Sequence, residues 1–346
     1  MSEEHSVRIE PHGRTLKVGA GQPLLEAALA AGLNLPHSCK SGHCGSCRAR
    51  LVAGQISYRA GRPLGLSAGE QDSGYLLLCQ ARAASDVTVE ARLIASVAEV
   101  EIKTLPCRIE RLAPLAPDVM QVWLRLPAVE RLPFHAGQYL DVLLEGGRRR
   151  SFSIASPPHD SGLIELHVRR VPGGGFTERL FAGADALAVG ALLRIEGPIG
   201  QFVYREGTAP MIMVAGGTGF APLKSILRHV LETGIRRPLH FYWGARQTQD
   251  LYEEAQMLQW QQRFPQLTFT AVLSEATRTE ATHHRTGWVH EAVLADHPQL
   301  QGVEVYAAGP PAMIEALRAS FPQHGLAPER LYFDSFDYAP DVAAPR

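Results

Sequence analysis

The rhythm of hydrophobic and polar positions changes three times along the chain. The first stretch opens with short alternating runs, 6–11 and 14–18, which predict strands. Residues 23–32 then carry apolar side chains at helical spacing, with Gly32 as a stop signal. A loop rich in Gly and Cys follows, and 47–58 reads as a further strand. The middle stretch is a series of alternating runs punctuated by Gly and Pro: 119–126, 138–144, 151–155, 164–171 and 192–200. Their spacing predicts an antiparallel barrel or sandwich. In the last stretch, apolar strands at 211–217, 239–245, 267–273 and 303–309 alternate with helical patterns at 222–234, 251–264, 288–296 and 310–321. Strand–helix alternation predicts a parallel sheet built from βαβ crossovers.

Boundaries are expected after the run 87–90 and again near 204–210, a polar turn cluster before an apolar strand. A chain of 346 residues is long enough for two or three such modules. Its hydrophobic content of 45% and charged content of 20% are ordinary for a globular protein. The net charge of −1 offers no single-sign field to attract nucleic acid or an anionic membrane. The first ten residues are acidic and polar, unlike a secretory leader, and no run of about 18 apolar residues would span a bilayer. The expectation is a cytoplasmic protein. Five cysteines in such a chain point to metal binding or catalysis rather than disulfides.

Four of them form a pattern. Cys39, Cys44 and Cys47 are separated by four and two residues, and Cys79 follows far downstream. This is the spacing of plant-type [2Fe–2S] proteins. Four thiolates must converge on two irons, and one tight loop can wrap three of them. The small residues Ser41, Gly42, Gly45 and Ser46 let the backbone bend and bring N–H groups near the sulfurs. A zinc knuckle usually needs two closely spaced cysteine pairs, and only one is present. Cys107 lies outside the pattern and reads as a core thiol. Residues 1–92 hold ten Lys and Arg against eight Asp and Glu, so docking of this unit need not depend on a field of one sign.

The middle stretch carries Arg148-Arg149-Arg150-Ser151-Phe152-Ser153 on a predicted strand pair. Strand alternation puts Arg150 and Phe152 on one face, Ser151 and Ser153 on the other. A cationic fork beside a flat aromatic suits a ligand with both a pyrophosphate and a planar ring. Downstream come His167, Val168 and Arg169, then Gly173-Gly174-Gly175-Phe176-Thr177, where Thr177 is placed to start a helix that aims N–H groups at phosphate. Taken alone, a basic run is usually a solvated face and a glycine run a turn. The last stretch adds Gly216-Gly217-Thr218-Gly219-Phe220-Ala221-Pro222, a strand, turn and helix start suited to a pyrophosphate. Arg246 ends a second strand, and Ala308-Gly309-Pro310-Pro311 ends a third. Three such strand ends on one edge make a cleft.

These constellations, in this order, resemble the ferredoxin–NAD(P)+ reductase superfamily fused to an N-terminal ferredoxin, over nearly the whole chain. The types it looks like are reductase components of bacterial multicomponent oxygenases and CDP-6-deoxy-glucoseen reductases. The resemblance implies a β-grasp ferredoxin domain at 1–93, an antiparallel β-barrel FAD domain at 103–206 and an α/β nicotinamide-binding domain at 207–338. It implies that Arg150 contacts FAD phosphates, Phe152 packs on the isoalloxazine and Ser153 lies near its N5. Gly174 to Thr177 would meet the pyrophosphate, and Gly216 to Pro222 the nicotinamide nucleotide. Two positions depart from the family pattern. The usual Tyr is Phe152, and the usual Cys before Gly309 is Ala308. A C-terminal aromatic that can cover the flavin would be Phe333 or Phe336. The implied activity moves electrons from NADH through FAD to the cluster and on to a partner, most readily an oxygenase or hydroxylase component. The alternatives are a stand-alone flavin or quinone reductase, or a reductase coupled to a sugar dehydratase. Arg246 is one candidate reader of a 2′-phosphate, but no second cation follows it, so NADH is favoured and NADPH remains open. No general acid or base is required. His43, within the cysteine loop, is the histidine singled out.

Overall fold

The computed structural model describes residues 4–37, 40, 42, 45–91, 93, 100–160, 162–181, 186–276 and 284–336. The chain divides into two compact units, Met1–Glu99 and Val100–Arg346.

The first unit is a five-stranded mixed sheet with one helix packed on it. Its elements are β1 (Glu4–Glu10), β2 (Arg14–Gly19), α1 (Leu24–Ala30), β3 (Arg48–Ala53), β4 (Ile56–Tyr58), α2 (Ala68–Asp72), β5 (Tyr75–Leu77), β6 (Ala81–Ala83) and β7 (Val87–Glu90). The sheet order is β2-β1-β7-β3-β5, with β1 and β7 parallel at its centre, and β4 and β6 form a separate pair. This is the β-grasp arrangement. Alternation in β1 buries Val7 and Ile9, and α1 buries Leu24, Leu25, Ala27 and Ala28 against them. The run 47–58 is not one strand. It breaks at Gly54, where a Cβ would lie 2.1 Å from Asp86 O.

The second unit begins with six antiparallel strands: β8 (Lys103–Ala116), β9 (Val119–Arg125), β10 (Tyr139–Leu143), β11 (Arg149–Ser153), β12 (Ile164–Arg169) and β13 (Leu192–Ile199). Their order is β11-β10-β13-β8-β9-β12. A bridge between Ile154 and Leu166 joins the two ends, so the sheet closes into a barrel. Its interior holds Ile109, Leu124, Leu140, Val142, Ile154 and Ile195, all fully buried.

The rest is an α/β layer: β14 (Met211–Gly216), α3 (Phe220–Glu232), β15 (Leu239–Ala245), α4 (Glu254–Arg263), β16 (Leu267–Leu273), β17 (Arg285–Thr286), α5 (Val289–Asp296), β18 (Glu304–Gly309), α6 (Pro311–Ser320) and β19 (Leu331–Ser335). The parallel sheet runs β17-β16-β15-β14-β18-β19. Every residue of β14 is buried, as expected for a strand covered on both faces. Successive residues serve different cores: Met213 and Ala215 face α3 and the barrel residues Ala136 and Phe202, whereas Ile212 and Val214 face α5 and α6. No described helix is long and apolar enough to cross a membrane.

Candidate functional site

In the first unit, pairing of β3 with β5 brings two of the four predicted ligands together. Cys47 immediately precedes β3, and its carbonyl accepts from Leu78 N at 3.1 Å, one residue before Cys79. Both thiols are buried and neither is in a disulfide. Cys39, Cys44 and His43 lie outside the described residues. Lys40 and Gly42 have left-handed φ of 55° and 84°. At Gly42 a Cβ would sit 2.7 Å from Gln80 Cγ and 3.1 Å from Pro63 Cβ, so only glycine lets the loop pass between those two side chains. Gln80 Nε2 donates to Lys40 O and Gly65 N donates to Gly42 O, which fastens the loop from both sides. Ser46 Oγ is buried with no partner among the described residues. A hydroxyl left with a spare donor beside a predicted ligand cysteine fits a cluster sulfur as its acceptor. Cys107 is a barrel-core thiol of the second unit, and burial pushes its pKa up to about 12.

In the second unit, β11 sorts the basic run by face. Phe152 stands opposite Leu140 and Arg150 opposite Val142, on the inner side, while Ser151 stands opposite Asp141 on the outer side. Ser151 Oγ donates to Asp141 Oδ1 at 2.6 Å, and Arg149 pairs with Glu196. The hydroxyl of Ser151 thus donates to Asp141 on the face that Ser153, opposite Tyr139, shares by alternation. Phe152 meets Phe176 at 5.6 Å between ring centroids, which joins the strand to the glycine loop. Thr177 is not the start of a helix of useful length. It precedes a single 3-10 turn, Glu178–Leu180, and its Oγ1 accepts from Val171 N at 3.1 Å. That bond closes the loop on itself. A Cβ on Gly174 would strike Thr177 Oγ1 at 2.6 Å, whereas Gly175 faces open space.

Strand β12 puts Glu165, His167 and Arg169 on one face by alternation, with Val168 turned into the barrel core. The His167 ring is engaged between protein groups. Nε2 lies 3.0 Å from Glu165 Oε1, and Nδ1 lies 3.1 Å from Tyr252 Oη. Arg169 behaves differently. Its guanidinium reaches Gly217, whose hypothetical Cβ would lie 3.5 Å from Arg169 Nη2. Arg169 Nε and Nη2 are buried without a hydrogen-bond partner among the described residues, and Asp118 approaches Nε only at 3.4 Å. A half-buried guanidinium with two buried donors unused beside a glycine turn fits a bound phosphate.

The turn itself is Gly216 to Gly219, followed by α3 with Pro222 in its first turn. Its glycines serve close approach more than flexibility. A Cβ on Gly219 would fall 1.9 Å from Ala308 O, and one on Gly309 would fall 2.9 Å from Gly216 Cα. Two strand ends, β14 and β18, therefore touch through bare backbone, with Pro310 packed over Gly216 and Thr218 between the glycines. Arg246 is 62% exposed and 4.0 Å from Asp250, at the rim of the edge rather than in it. The two candidate C-terminal aromatics separate by strand parity. Phe333 packs toward α5 and α6, whereas Phe336 packs on the barrel-facing core and donates its N–H to Gly309 O at 2.9 Å.

A set of groups that the motif spacings did not reveal lies between barrel and sheet. Glu165, His167 and Glu253 bring ligand atoms within 4.8 Å of one another, a spacing that would suit a metal ion. A lysine occupies that role: Lys224 Nζ on α3 donates to Glu165 Oε1 at 2.8 Å and Glu253 Oε1 at 2.7 Å. Burial alone would raise the pKa of Glu165. The His167 hydrogen bond and the Lys224 charge overcome it and hold the carboxyl far below its usual range.

Three family descriptions match the chain. Residues 7–84 match a 2Fe-2S iron-sulfur cluster binding domain, 106–204 an oxidoreductase FAD-binding domain, and 213–319 an oxidoreductase NAD-binding domain. The CDP-6-deoxy-L-threo-D-glycero-4-hexulose-3-dehydrase reductase of Yersinia pestis is 36% identical over 96% of this chain and 98% of its own length. Reductase component 1 of a Comamonas terephthalate 1,2-dioxygenase is 34% identical over 97% and 98%. The crystal structure of an Amycolatopsis cytochrome P450 reductase, GcoB, superposes with a TM-score of 0.71 at 34% identity, covering 96% of this chain and 98% of that one.

Proposed function

From the premise that this chain belongs to the ferredoxin-containing, NAD(P)H-dependent flavoprotein reductases, we propose that it passes electrons from NADH to a separate protein, most readily an oxygenase or hydroxylase component. FAD and a [2Fe–2S] cluster, when bound, would supply the hydride acceptance and single-electron transfer that the side chains do not. The chain's own residues bind and orient. Cys39, Cys44, Cys47 and Cys79 ligate the cluster, and Ser46 donates to a cluster sulfur. Arg150 and the Gly174–Gly175–Thr177 loop hold the FAD phosphates, Phe152 supports the flavin ring, and Ser153 offers a hydroxyl at its reactive edge. Gly216, Gly217, Thr218, Gly219 and Pro222, with Gly309 and Pro310, shape the nicotinamide nucleotide site, and Arg246 lies at its adenosine rim. Arg169 belongs to the phosphate site as a side chain, whereas His167 and Val168 support it from behind. The corresponding modules are 1–93, 103–206 and 207–338. Thiolate ligation suits the reducing cytoplasm, where we place the protein.

The observation that carries this reading is the Arg169 guanidinium over Gly217, with two buried N–H donors left without a partner among the described residues, at the place where barrel and parallel sheet meet. Arg169→Ala is expected to raise the KM for NADH about tenfold, the loss of one charge-assisted phosphate contact. An unchanged KM in steady-state reduction of ferricyanide would remove Arg169 from the site. A second reading, a reductase serving a sugar dehydratase, is supported by the Yersinia relative, which matches over 98% of its length. Reconstitution with each type of partner, read as NADH consumption coupled to product, separates the two.

A further inference from the structure

The groups between barrel and sheet do more than fill space, because of what lies at each end of them. Strand β11 ends at Ser153 and runs on antiparallel to β12. Ile154 bridges Leu166, Ala155 N donates to Glu165 O at 2.8 Å, and Glu165 N donates to Ser156 Oγ at 3.2 Å. Two neighbouring side chains of α3 grip this same segment. Ser225 Oγ donates to Ser156 O at 2.7 Å, and Lys224 Nζ donates to the Glu165 carboxylate. Helix α3 is the direct continuation of the Gly216–Gly219 turn. The ties therefore connect the strand that carries Ser153 to the helix that carries the nucleotide turn, within three residues of the first and about one and a half helical turns of the second.

The surroundings make these ties stiff. Glu165 and His167 are at most 5% exposed, and Lys224 and Ser225 at most 6%. Gln121 Nε2 donates to the same Glu165 oxygen, and the His167 ring stacks on Phe220, the first residue of α3, at 6.1 Å. Phe220 in turn stacks on Trp243 at 3.9 Å, and Trp243 Nε1 donates to Gly217 O at 3.1 Å. One continuous path of buried contacts thus runs from Glu165 to the carbonyl of the nucleotide turn. Buried charges held by several partners permit little sliding, since any displacement strands one of them in low dielectric.

We propose that Lys224, with Ser225, is a positioning brace for hydride transfer: by holding α3 to the Glu165 strand it sets the distance between the nucleotide turn and the flavin-facing Ser153. This rests on the flavin and nucleotide sites assigned above, and touches neither directly. Surplus misalignment of about 1 Å between reacting groups costs on the order of a hundredfold in rate, so a brace of this kind is expected to show in the chemical step. Its signature is the rate per bound flavin, because FAD affinity depends on other residues.

The test uses the full-length holoprotein with FAD bound and NADH as the reductant, mixed anaerobically in a stopped-flow spectrometer. Lys224→Met is expected to lower the limiting rate of flavin bleaching, per bound FAD, by about 10- to 100-fold, and to weaken the long-wavelength charge-transfer absorbance of stacked nicotinamide and flavin. Ser225→Ala, which removes only a hydroxyl and leaves no buried charge unpaired, is expected to lower it by about 3- to 10-fold; it keeps the proposal testable should Lys224→Met fail to fold. Wild-type rates per bound flavin in the variants that fold, or rates that fall only in step with lost FAD, would overturn the brace. A wild-type protein that binds FAD yet is not bleached by NADH would instead overturn the function proposed above.

Discussion

The two compact units hold their candidate sites by opposite means. In Met1–Glu99 the work falls to backbone: residues of left-handed φ, small side chains and main-chain hydrogen bonds curl the loop around Cys47 and Cys79. In Val100–Arg346 it falls to side chains that are far apart in the chain, with Lys224 bonded across 59 residues to Glu165. The difference follows from what each site must bind. Thiolates supply most of the energy of a metal site, so the protein need only keep them close and dry. Hydride transfer offers no such bond. The geometry there comes from packing two layers against each other, and charged side chains make that packing directional.

The sharpest way to break this contrast is at a single thiolate. Cys79→Ser is expected to cut bound iron and sulfide to below about a tenth of wild type, while FAD content and NADH–ferricyanide activity persist. Loss of FAD along with iron would show that the two units do not hold their sites independently. Next in size is Gly219→Ala, whose Cβ would fall 1.9 Å from Ala308 O. Urea unfolding of the reductase unit should show a loss of about 3 kcal/mol, the upper range of overpacking. A fully stable variant would mean that β14 and β18 can part at little cost.

The pH response probes the charged ties. The folded pKa of Glu165 is depressed, through the His167 bond and Lys224 charge outweighing burial. Its contribution is therefore complete above the unfolded value of 4.5 and is lost as pH falls below it toward the folded pKa. Wild type is expected to lose about 1.4 kcal/mol per pH unit more than Glu165→Gln over that range, the limit for one proton. Parallel stability profiles for the two proteins would show that the carboxylate is not held as described. The smallest effect concerns Ala308, which is fully buried on the barrel-facing side of the sheet. Restoring the family thiol with Ala308→Cys is expected to speed stopped-flow flavin reduction about two- to fivefold, less than 1 kcal/mol. An unchanged rate would remove any role for that thiol.

Several features were legible because they are local. The cysteine spacing, the glycine turn before α3 and the strand–helix alternation all lie within short windows. Others were hidden for definite reasons. Strand β8 runs from Lys103 to Ala116 through Pro106 and Pro114, which read as breakers; the ladder accommodates it with irregularities at Ile109/Arg111 and Pro114/Ala116. Strand β19 near the end of the described chain gives no strong periodic signal, so the choice between Phe333 and Phe336 stayed open until its pairing with β18 settled which faces the barrel. The ring partners of His167 were hidden too, since Tyr252 comes from a different layer and Glu165 from two residues back on its own strand.

What the amino-acid order determined by itself was the inventory: a cluster loop, a barrel strand with Arg150 and Phe152, a nucleotide turn, and the order in which they occur. Each follows from residue types acting on their immediate neighbours. Only the tertiary structure decided which side chains spend their charge on the protein and which keep it for a ligand. Glu165 and Glu253 both pair with Lys224, whereas Arg169, two residues beyond His167 and paired with Asp118 only at 3.4 Å, keeps two buried donors without a partner among the described residues. That division depends on what each group meets across the interface between barrel and sheet, and contacts between layers are not written in any local pattern.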